Sequence, residues 1–321
     1  MTARRRVLLL SGLACALCIP AAPAEAAGPP LPSSASGKAG AVAPRGSERL
    51  ITRRDGDDTL VAAVRRTGGG VLRARTITGR WRVAPVAFDG STTGLSADGR
   101  VLVLARPSRI FPPESTHFAI LDARKLAVRR ELSLPGFFTM DAISPDGRWL
   151  YVIQYGGGEN FLDYRVRALD TQTGLLAARD VTDPRNPDEQ MGGLPFTRAV
   201  SRDGRWAYTL YGGGEETFIH ALDTVGRTAA CIDLEMLPPS TDLTGYRLRV
   251  SPGARRIRVL DPAGTLVATV DARPEPVAAA RPRRTGSAPG DGGFPWLLLM
   301  PAAALGGLCV AAVTVARRRT P

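Results

Sequence analysis

One short pattern recurs along the chain and constrains its fold more than any other feature. Three full copies occur, each an apolar residue followed by Ser-x-Asp-Gly-Arg, over Leu95 to Arg100, Ile143 to Arg148 and Val200 to Arg205. A shortened fourth copy runs from Val250 to Gly253, so the motif serines at 96, 144, 201 and 251 stand 48, 57 and 50 residues apart. A period near 50 residues is typical of an array of similar structural units.

A second landmark, a Leu-Asp pair, follows each copy and completes the repeat. The pairs end at Asp122, Asp170 and Asp223, and Val259-Leu260-Asp261 is assigned as the fourth. Asp-Gly is a tight-turn dipeptide whose glycine takes positive φ, and the residues after it are patterned like a strand. Each unit therefore predicts four strands: one before the serine, one after the arginine, one ending at Leu-Asp and one closing the unit. Residues 47–89 fit this length without the landmark, and the body shows no helical periodicity.

Four-stranded antiparallel units repeated radially are the blades of a β-propeller. The run Ser144 to Arg148 with Leu150-Tyr151-Val152 after it, and Ala-Leu-Asp-Thr at 168–171 and 221–224, resembles the bacterial YVTN-type and WD-like β-propeller repeat proteins over residues 90–270. The resemblance implies an all-β propeller fold, and the repeat units of this sequence number about five four-stranded blades. It implies little about function, because propellers host many activities. A β-sandwich stays open as the alternative, since many short strands with regular turns also fit it.

The two ends of the chain predict export and a membrane anchor. Arg4 to Arg6, an apolar run and Ala24-Glu25-Ala26 form the basic head, apolar middle and cleavage site of a secretory signal peptide. The uncharged residues 294–316 are long enough to cross a hydrocarbon core about 30 Å thick, and the positive-inside rule holds the arginines after them in the cytoplasm. The predicted organisation is a signal peptide over 1–26, a loose lead-in over 27–46, a propeller ectodomain over 47–271, a stalk over 272–293, a single transmembrane helix over 294–316 and a cytoplasmic tail over 317–321.

The net charge of +12 would suggest a nucleic-acid partner if the folded body carried it. Three arginines belong to the signal peptide and three follow the predicted membrane span. Residues 41–270 hold 31 Lys and Arg against 26 Asp and Glu, an excess of five that arises in residues 45–82. We therefore predict no nucleic-acid partner, and the basic segment suits an anionic wall polymer or lipid head groups.

The stretch YGGGE occurs twice, from Tyr155 to Glu159 and from Tyr211 to Glu215. Both copies are predicted to be loops between the second and third strands, on the same face of neighbouring blades. Glycines let the backbone approach a ligand closely, and the two glutamates can bind a cation or a sugar hydroxyl. The alternative is that the glycines permit a turn and the glutamates are solvated.

Charged side chains also precede two of the motif serines by three residues. Asp141 and Arg198 occupy this position, with Thr93 as their counterpart, so we expect them to be neighbours at the channel mouth. They either form a structural ion pair or bind a polar ligand together. The two histidines, His117 and His220, fall on different positions of the repeat and are predicted to be strand surface residues.

These observations favour a non-enzymatic, membrane-tethered extracytoplasmic propeller that binds a cell-surface protein, peptide or glycan through the face carrying the YGGGE loops. The candidate ligand-binding residues are Tyr155, Glu159, Tyr211, Glu215, Asp141 and Arg198. No catalytic residue, metal or cofactor is predicted. The alternative is a propeller hydrolase or lactonase whose metal is held by Glu159, Glu215 and Asp141.

Overall fold

The computed structural model describes residues 40–156, 164–188 and 192–273. The predicted signal peptide, residues 27–39 of the lead-in, most of the stalk, the membrane span and the tail lie outside these residues, as does Glu159. The described residues contain β-strands, turns and bends with no helix. In these ranges, accordingly, there is no helical segment with the length and apolar character needed to cross a membrane.

In the described ranges, sixteen strands form five separate antiparallel sheets, which we number 1 to 5 in chain order. Within every sheet the strands pair in sequence order, as a meander does. Sheet 1 contains β1 (Glu48–Asp55), β2 (Asp58–Arg65) and β3 (Val71–Ile77); sheet 2 contains β4 (Val101–Ala105), β5 (Ser115–Asp122) and β6 (Ala127–Pro135); sheet 3 contains β7 (Phe138–Ile143), β8 (Trp149–Tyr155) and β9 (Tyr164–Asp170); sheet 4 contains β10 (Leu194–Val200), β11 (Trp206–Gly212), β12 (Phe218–Asp223) and β13 (Thr228–Asp233); sheet 5 contains β14 (Arg247–Val250), β15 (Arg256–Leu260) and β16 (Leu266–Asp271).

Short paired segments extend three of the sheets toward four strands. Ala41 pairs with Leu50 of β1 and adds an inner segment to sheet 1, ahead of residue 47. In the same way Leu95 pairs with Leu102 of β4 in sheet 2. An outer segment of sheet 3 pairs with β9 through the amide of Ala177. Sheets 1 to 4 therefore follow the predicted order of four strands, and in sheets 2 to 4 the motif turn lies between the first strand and the second.

One backbone hydrogen bond recurs in all five sheets and shows that they are copies of one unit. In each, the amide following the third strand donates to the carbonyl preceding the second strand. The pairs are Arg66 with Ser47 (3.0 Å), Ala123 with Arg100 (2.9 Å), Thr171 with Arg148 (2.8 Å), Thr224 with Arg205 (2.8 Å) and Ala272 with Arg255 (2.9 Å).

The sheets are arranged around a central cavity of about 510 Å³ whose walls include residues from the inner segments of all five. Buried apolar clusters lie between consecutive sheets. One cluster joins sheets 1 and 2, one joins 2 and 3, two join 3 and 4, and one joins 4 and 5. This radial arrangement is that of a β-propeller and differs from the two facing layers of a β-sandwich.

Candidate binding faces

The repeated motif builds the same turn in sheets 2, 3 and 4. In sheet 3 the Ser144 hydroxyl donates to Asp146 Oδ1 at 2.5 Å, and that oxygen accepts from the Arg148 amide at 3.0 Å. The Ser144 oxygen also accepts from the amide of Trp149 at 2.9 Å. The turns beginning at Ser96 and Ser201 repeat these contacts. The serine and aspartate are thus engaged by the turn itself, which leaves the arginine side chain available to other groups.

The motif arginine links this turn to the Leu-Asp turn in two sheets. Arg148 Nη2 lies 3.2 Å from Asp170 Oδ2, and Arg205 Nη2 lies 2.6 Å from Asp223 Oδ2. Burial opposes ionisation of Asp223, but hydrogen bonds from Arg205 and from backbone amides hold its pKa below the usual value. In sheet 2 the aspartate at this position, Asp122, is paired with Arg129 at 2.6 Å instead, and hydrogen bonds from Arg129 and the backbone lower its pKa to about 2. The two sequence landmarks therefore lie side by side.

These paired turns define one face of the propeller, which we name the motif face. The described turns at this face are residues 43–47, 66–70, 96–100, 123–126, 144–148, 171–175, 201–205, 224–227, 251–255 and 272–273. They contain eleven Arg and Lys against the three motif aspartates, and Asp122, Asp170 and Asp223 at the strand ends beside these turns raise the acidic residues to six. The motif face is therefore basic.

The shortened motif copy in sheet 5 keeps the turn with different residues. Ser251 Oγ accepts from the Arg256 amide at 3.1 Å, and Ala254 takes the position of the motif glycine with φ of 49°. The assignment of Val259-Leu260-Asp261 as the fourth Leu-Asp landmark is wrong. Leu260 ends β15, which is the second strand of sheet 5. The residue that ends the third strand is Asp271.

The second YGGGE copy is the turn between β11 and β12, as predicted, and packing accounts for one of its glycines and backbone conformation for another. A Cβ at Gly212 would lie 2.5 Å from Leu243 Cδ1, and Gly213 has a φ of +76°. Glu215 is exposed. The first copy lies mainly outside the described residues.

The tyrosines of both YGGGE copies belong to an aromatic row between sheets 3 and 4. The ring of Tyr164 lies 5.7 Å from that of Tyr155 and 6.0 Å from that of Tyr211. Tyr211 is 1% exposed and stacks on Phe218 at 5.3 Å. Both tyrosines therefore pack in the seam between the sheets, and their ligand-binding role stays a prediction.

The structure brings Asp141 and Arg198 together in the same seam, as their matching repeat positions predicted. The guanidinium of Arg198 donates to the carboxylate and to the backbone carbonyl of Asp141. It also donates to Thr209 Oγ1, at 3.0 Å from Nε and 2.7 Å from Nη2. The two charged side chains are 3% and 1% exposed. This arrangement is a buried ion pair, and Asp141 Oδ2 has no hydrogen-bond partner among the described residues.

His220 belongs to this polar cluster, and its prediction as a strand surface residue is wrong. It lies on β12 opposite Thr209 of β11, and it is 1% exposed. Burial lowers the pKa of its imidazole from 6.5 to about 4, with the nearby Asp141 opposing this shift and Arg198 reinforcing it. All six residues of β12 are buried, so the strand has no surface side. His117, the other histidine, is half-buried.

A hairpin that the sequence repeat did not reveal crosses the end of the channel away from the motif face. Residues 84–93 interrupt the inner segment of sheet 2, since Arg82 pairs with Ala105 on one side of the hairpin and Leu95 pairs with Leu102 on the other. We name residues 84–93 the channel hairpin. It reaches β10 of sheet 4 through three hydrogen bonds: Phe88 N to Pro195 O at 2.9 Å, Asp89 N to Phe196 O at 3.0 Å and Thr197 Oγ1 to Asp89 Oδ2 at 2.7 Å.

The opposite face, which we name the loop face, carries the turns between second and third strands and the connections between sheets. Its described segments are residues 56–57, 78–93, 106–114, 136–137, 156, 182–188, 192–193, 213–217, 234–246 and 261–265. They contain five Arg against ten Asp and Glu. The two faces of the propeller therefore have opposite charge.

The loop face also has its own repeated contact, which sequence reasoning missed. A threonine at the start of the third strand donates to the connection between sheets, as in Thr59 Oγ1 to Gly79 O at 2.7 Å and Thr116 Oγ1 to Gly136 O at 2.9 Å. In the sequence this contact corresponds only to one threonine near the start of the third strand, and a single residue does not form a recognisable motif. No group of three or more His, Cys, Asp or Glu side chains suited to a metal occurs in the described parts of the chain.

Comparisons with known proteins give no relative by sequence. No protein-family model matches the chain, and no curated protein matches it.

Among solved structures, the β-propeller domain of Cps50 (Swd1) from Myceliophteria thermophila is similar, with a TM-score of 0.40 and 13% identity, over 70% of this chain and 64% of that one. Putative TolB from Agrobacterium tumefaciens has a TM-score of 0.38 and 15% identity, over 73% of this chain and 80% of that one. TolB from Acinetobacter baumannii has a TM-score of 0.37 and 16% identity, over 61% of this chain and 43% of that one. This chain thus spans less than two thirds of the Swd1 domain and of Acinetobacter TolB.

Proposed function

We propose that the protein is a membrane-tethered extracytoplasmic β-propeller that binds an acidic protein or peptide at the cell surface through its motif face. The observation that carries this proposal is the opposite charge of the two faces. Eleven basic residues against six acidic ones on one face form a field that attracts an acidic surface and repels a basic one.

The motif aspartates stay ionised and subtract from that field, but the basic side chains of the face outnumber them. The hydrogen bond from Ser201 and that from the Arg205 amide lower the pKa of Asp203, against the effect of burial. Several basic side chains of the face are exposed and make no ion pair within the described residues. Arg124, Lys125 and Arg255 are of this kind. Arginine forms bidentate hydrogen bonds with carboxylates, so an arginine-rich face suits glutamate and aspartate side chains.

The membrane tether and the extracytoplasmic position are supported by the predicted signal peptide and by the uncharged segment 294–316 followed by three arginines. With one such span the propeller lies outside the membrane and the tail inside. A tag at the carboxyl end should resist protease in intact spheroplasts while the propeller is cleaved. Cleavage of the tag together with an intact propeller would reverse the topology.

The binding face is tested with matched charge reversals on the two faces. The motif-face variant carries Arg124→Glu, Lys125→Glu and Arg255→Glu, and the loop-face variant carries Asp188→Lys, Glu215→Lys and Glu235→Lys; all six residues are exposed. Binding of the full chain in neutral-lipid nanodiscs to an immobilised polyglutamate peptide is measured by interferometry at low and high salt. We expect the motif-face variant to lose at least about tenfold in affinity at low salt, because surface charges act through the screened field.

The loop-face variant should bind the polyglutamate peptide at least as well as the wild type. If only the loop-face variant loses affinity, binding belongs to the face with the YGGGE loops. Tighter binding to an anionic polysaccharide of equal charge would make a glycan the partner.

A further inference from the structure

The central cavity has the composition of a small-ligand site. Its volume of about 510 Å³ falls in the range of roughly 300–1,000 Å³ that is usual for ligand pockets. Ten apolar residues form most of its wall, with hydroxyl groups interspersed. The apolar residues are Val42, Pro44, Leu95, Ala97, Ala142, Ile143, Val200, Ala207, Val250 and Pro252, and the hydroxyl residues are Thr92, Thr93, Thr224 and Ser251.

The cavity lies toward the motif face. Its wall includes motif-turn residues, whereas the channel hairpin bonds to β10 across the other end of the channel. Val200, at the end of β10, lines the cavity and is 44% exposed. An apolar side chain that is both exposed and part of a concave wall is available to an apolar ligand entering from the motif face.

The charged side chains in the cavity wall are two arginines, and no acidic residue accompanies them. Arg198 is neutralised by Asp141. Arg202 is exposed and has no carboxylate partner among the described residues. The neighbouring Asp203 is engaged by the Ser201 hydroxyl at 2.6 Å and the Arg205 amide at 3.1 Å. The cavity therefore offers an apolar interior and one cation without a partner.

We infer that the central cavity binds an aliphatic carboxylate, with its hydrocarbon part against Val200 and Val250 and its carboxylate on Arg202. A charge-assisted hydrogen bond to a guanidinium is stronger than a neutral one, and the apolar wall excludes a strongly hydrated anion such as inorganic phosphate. Arg202 also belongs to the motif face, but the two proposals are tested separately, because the charge-reversal variant of the motif face leaves Arg202 in place. Two sources of the ligand share this chemistry, a small fatty-type acid and the carboxyl terminus of a peptide with apolar side chains.

The test compares charged and uncharged probes of the same shape on the full chain in neutral-lipid nanodiscs, with empty nanodiscs as the blank. The small probes are 4-methylpentanoate and 4-methylpentanol. The peptide probes are Ala-Val-Leu-Val with a free carboxyl end and with an amidated end. Calorimetry should show that the carboxylate member of at least one pair binds about tenfold more tightly than its neutral partner. The pair with the larger ratio identifies the source.

Two variants locate the site. Arg202→Gln should remove the preference for the carboxylate, while Arg109→Gln, at an exposed loop-face arginine that does not line the cavity, should keep it. Val200→Trp should block both members of a pair by filling the cavity, and because Val200 is already partly exposed this variant is expected to fold. Equal affinities of the carboxylate and neutral probes, or unchanged binding in Arg202→Gln or in folded Val200→Trp, would overturn the inference.

Discussion

The motif face and the loop face are built by different kinds of contact. On the motif face the same serine, aspartate and arginine contacts recur from sheet to sheet, and the basic residues lie around this repeated frame. On the loop face a repeated threonine contact remains, but the channel hairpin occurs once. The seam below it holds a single buried ion pair, Asp141 with Arg198. The repeated contacts therefore specify the propeller fold, whereas the channel hairpin and the buried ion pair make one end of the channel different from the other.

The largest expected effect comes from the buried ion pair. Asp141→Leu leaves the Arg198 guanidinium buried without its carboxylate and should lower the free energy of unfolding by about 3–5 kcal/mol in urea titrations. The repeated pair Arg205 with Asp223 is a matched contrast, since the Arg205 side chain is 45% exposed. Arg205→Met should cost about 1 kcal/mol or less. The double variant Asp141→Leu with Arg198→Met should recover most of the lost stability. Equal losses in Asp141→Leu and Arg205→Met would show that the buried pair and the partly exposed pair contribute alike.

The second effect concerns pH and the buried His220. Its folded-state pKa of about 4 lies below the ordinary value of 6.5, so the unfolded chain takes up a proton first as pH falls. Stability that is complete above pH 6.5 should therefore decline toward pH 4 by about 3 kcal/mol, at 1.36 kcal/mol per pKa unit. The wild type should show this slope in urea titrations from pH 7 to 4.5, His220→Gln should lack it, and His117→Gln should keep it. The lowered pKa of Asp122, about 2, acts in a separate window below its ordinary value of 3.8.

Substitutions at two motif glycines distinguish the cost of a strained backbone conformation from the cost of a steric overlap between sheets. A Cβ at Gly147 would lie 2.5 Å from the Val101 side chain, whereas one at Gly99 would meet no atom within 4 Å. Both have positive φ, of 75° and 69°. Gly99→Ala should cost about 1 kcal/mol and Gly147→Ala about 2–4 kcal/mol in thermal unfolding, because only the second adds steric overlap. Equal costs would mean that the motif glycine serves the turn alone.

The smallest effect is a gain in stability. Ala254 holds a φ of 49° at the position where the intact motif copies have glycine. Ala254→Gly should raise the unfolding free energy by up to about 1 kcal/mol, since the strained conformation is relieved but the unfolded chain gains freedom. A loss of stability would show that the turn of sheet 5 tolerates alanine without strain.

The repeated parts of the fold could be predicted from the sequence, because the same residues recur in them at similar spacing. The strands predicted to close the units after the Leu-Asp pairs at Asp122 and Asp223 are β6 and β13. The partnership of Asp141 and Arg198 followed from their equal spacing to the motif serines. The channel hairpin has one copy and no motif of its own, so sequence spacing could not place it.

The burial of His220 and the opposite charges of the two faces could not be predicted from the sequence, because both depend on the three-dimensional arrangement of strands and turns. A strand buried between two neighbouring sheets carries no polar alternation from which its sides can be read. Basic residues of the motif face are scattered through the chain, from Arg45 to Arg273, and only the stacking of turns brings them to one side.

Binding of an acidic partner at the motif face can be located by hydrogen exchange of the full chain with and without a polyglutamate peptide. We expect slower exchange in motif-face turns such as 96–100, 123–126 and 201–205, with unchanged exchange in loop-face segments such as 213–217 and 234–246. Protection confined to the loop-face segments would show that the motif face does not bind the peptide.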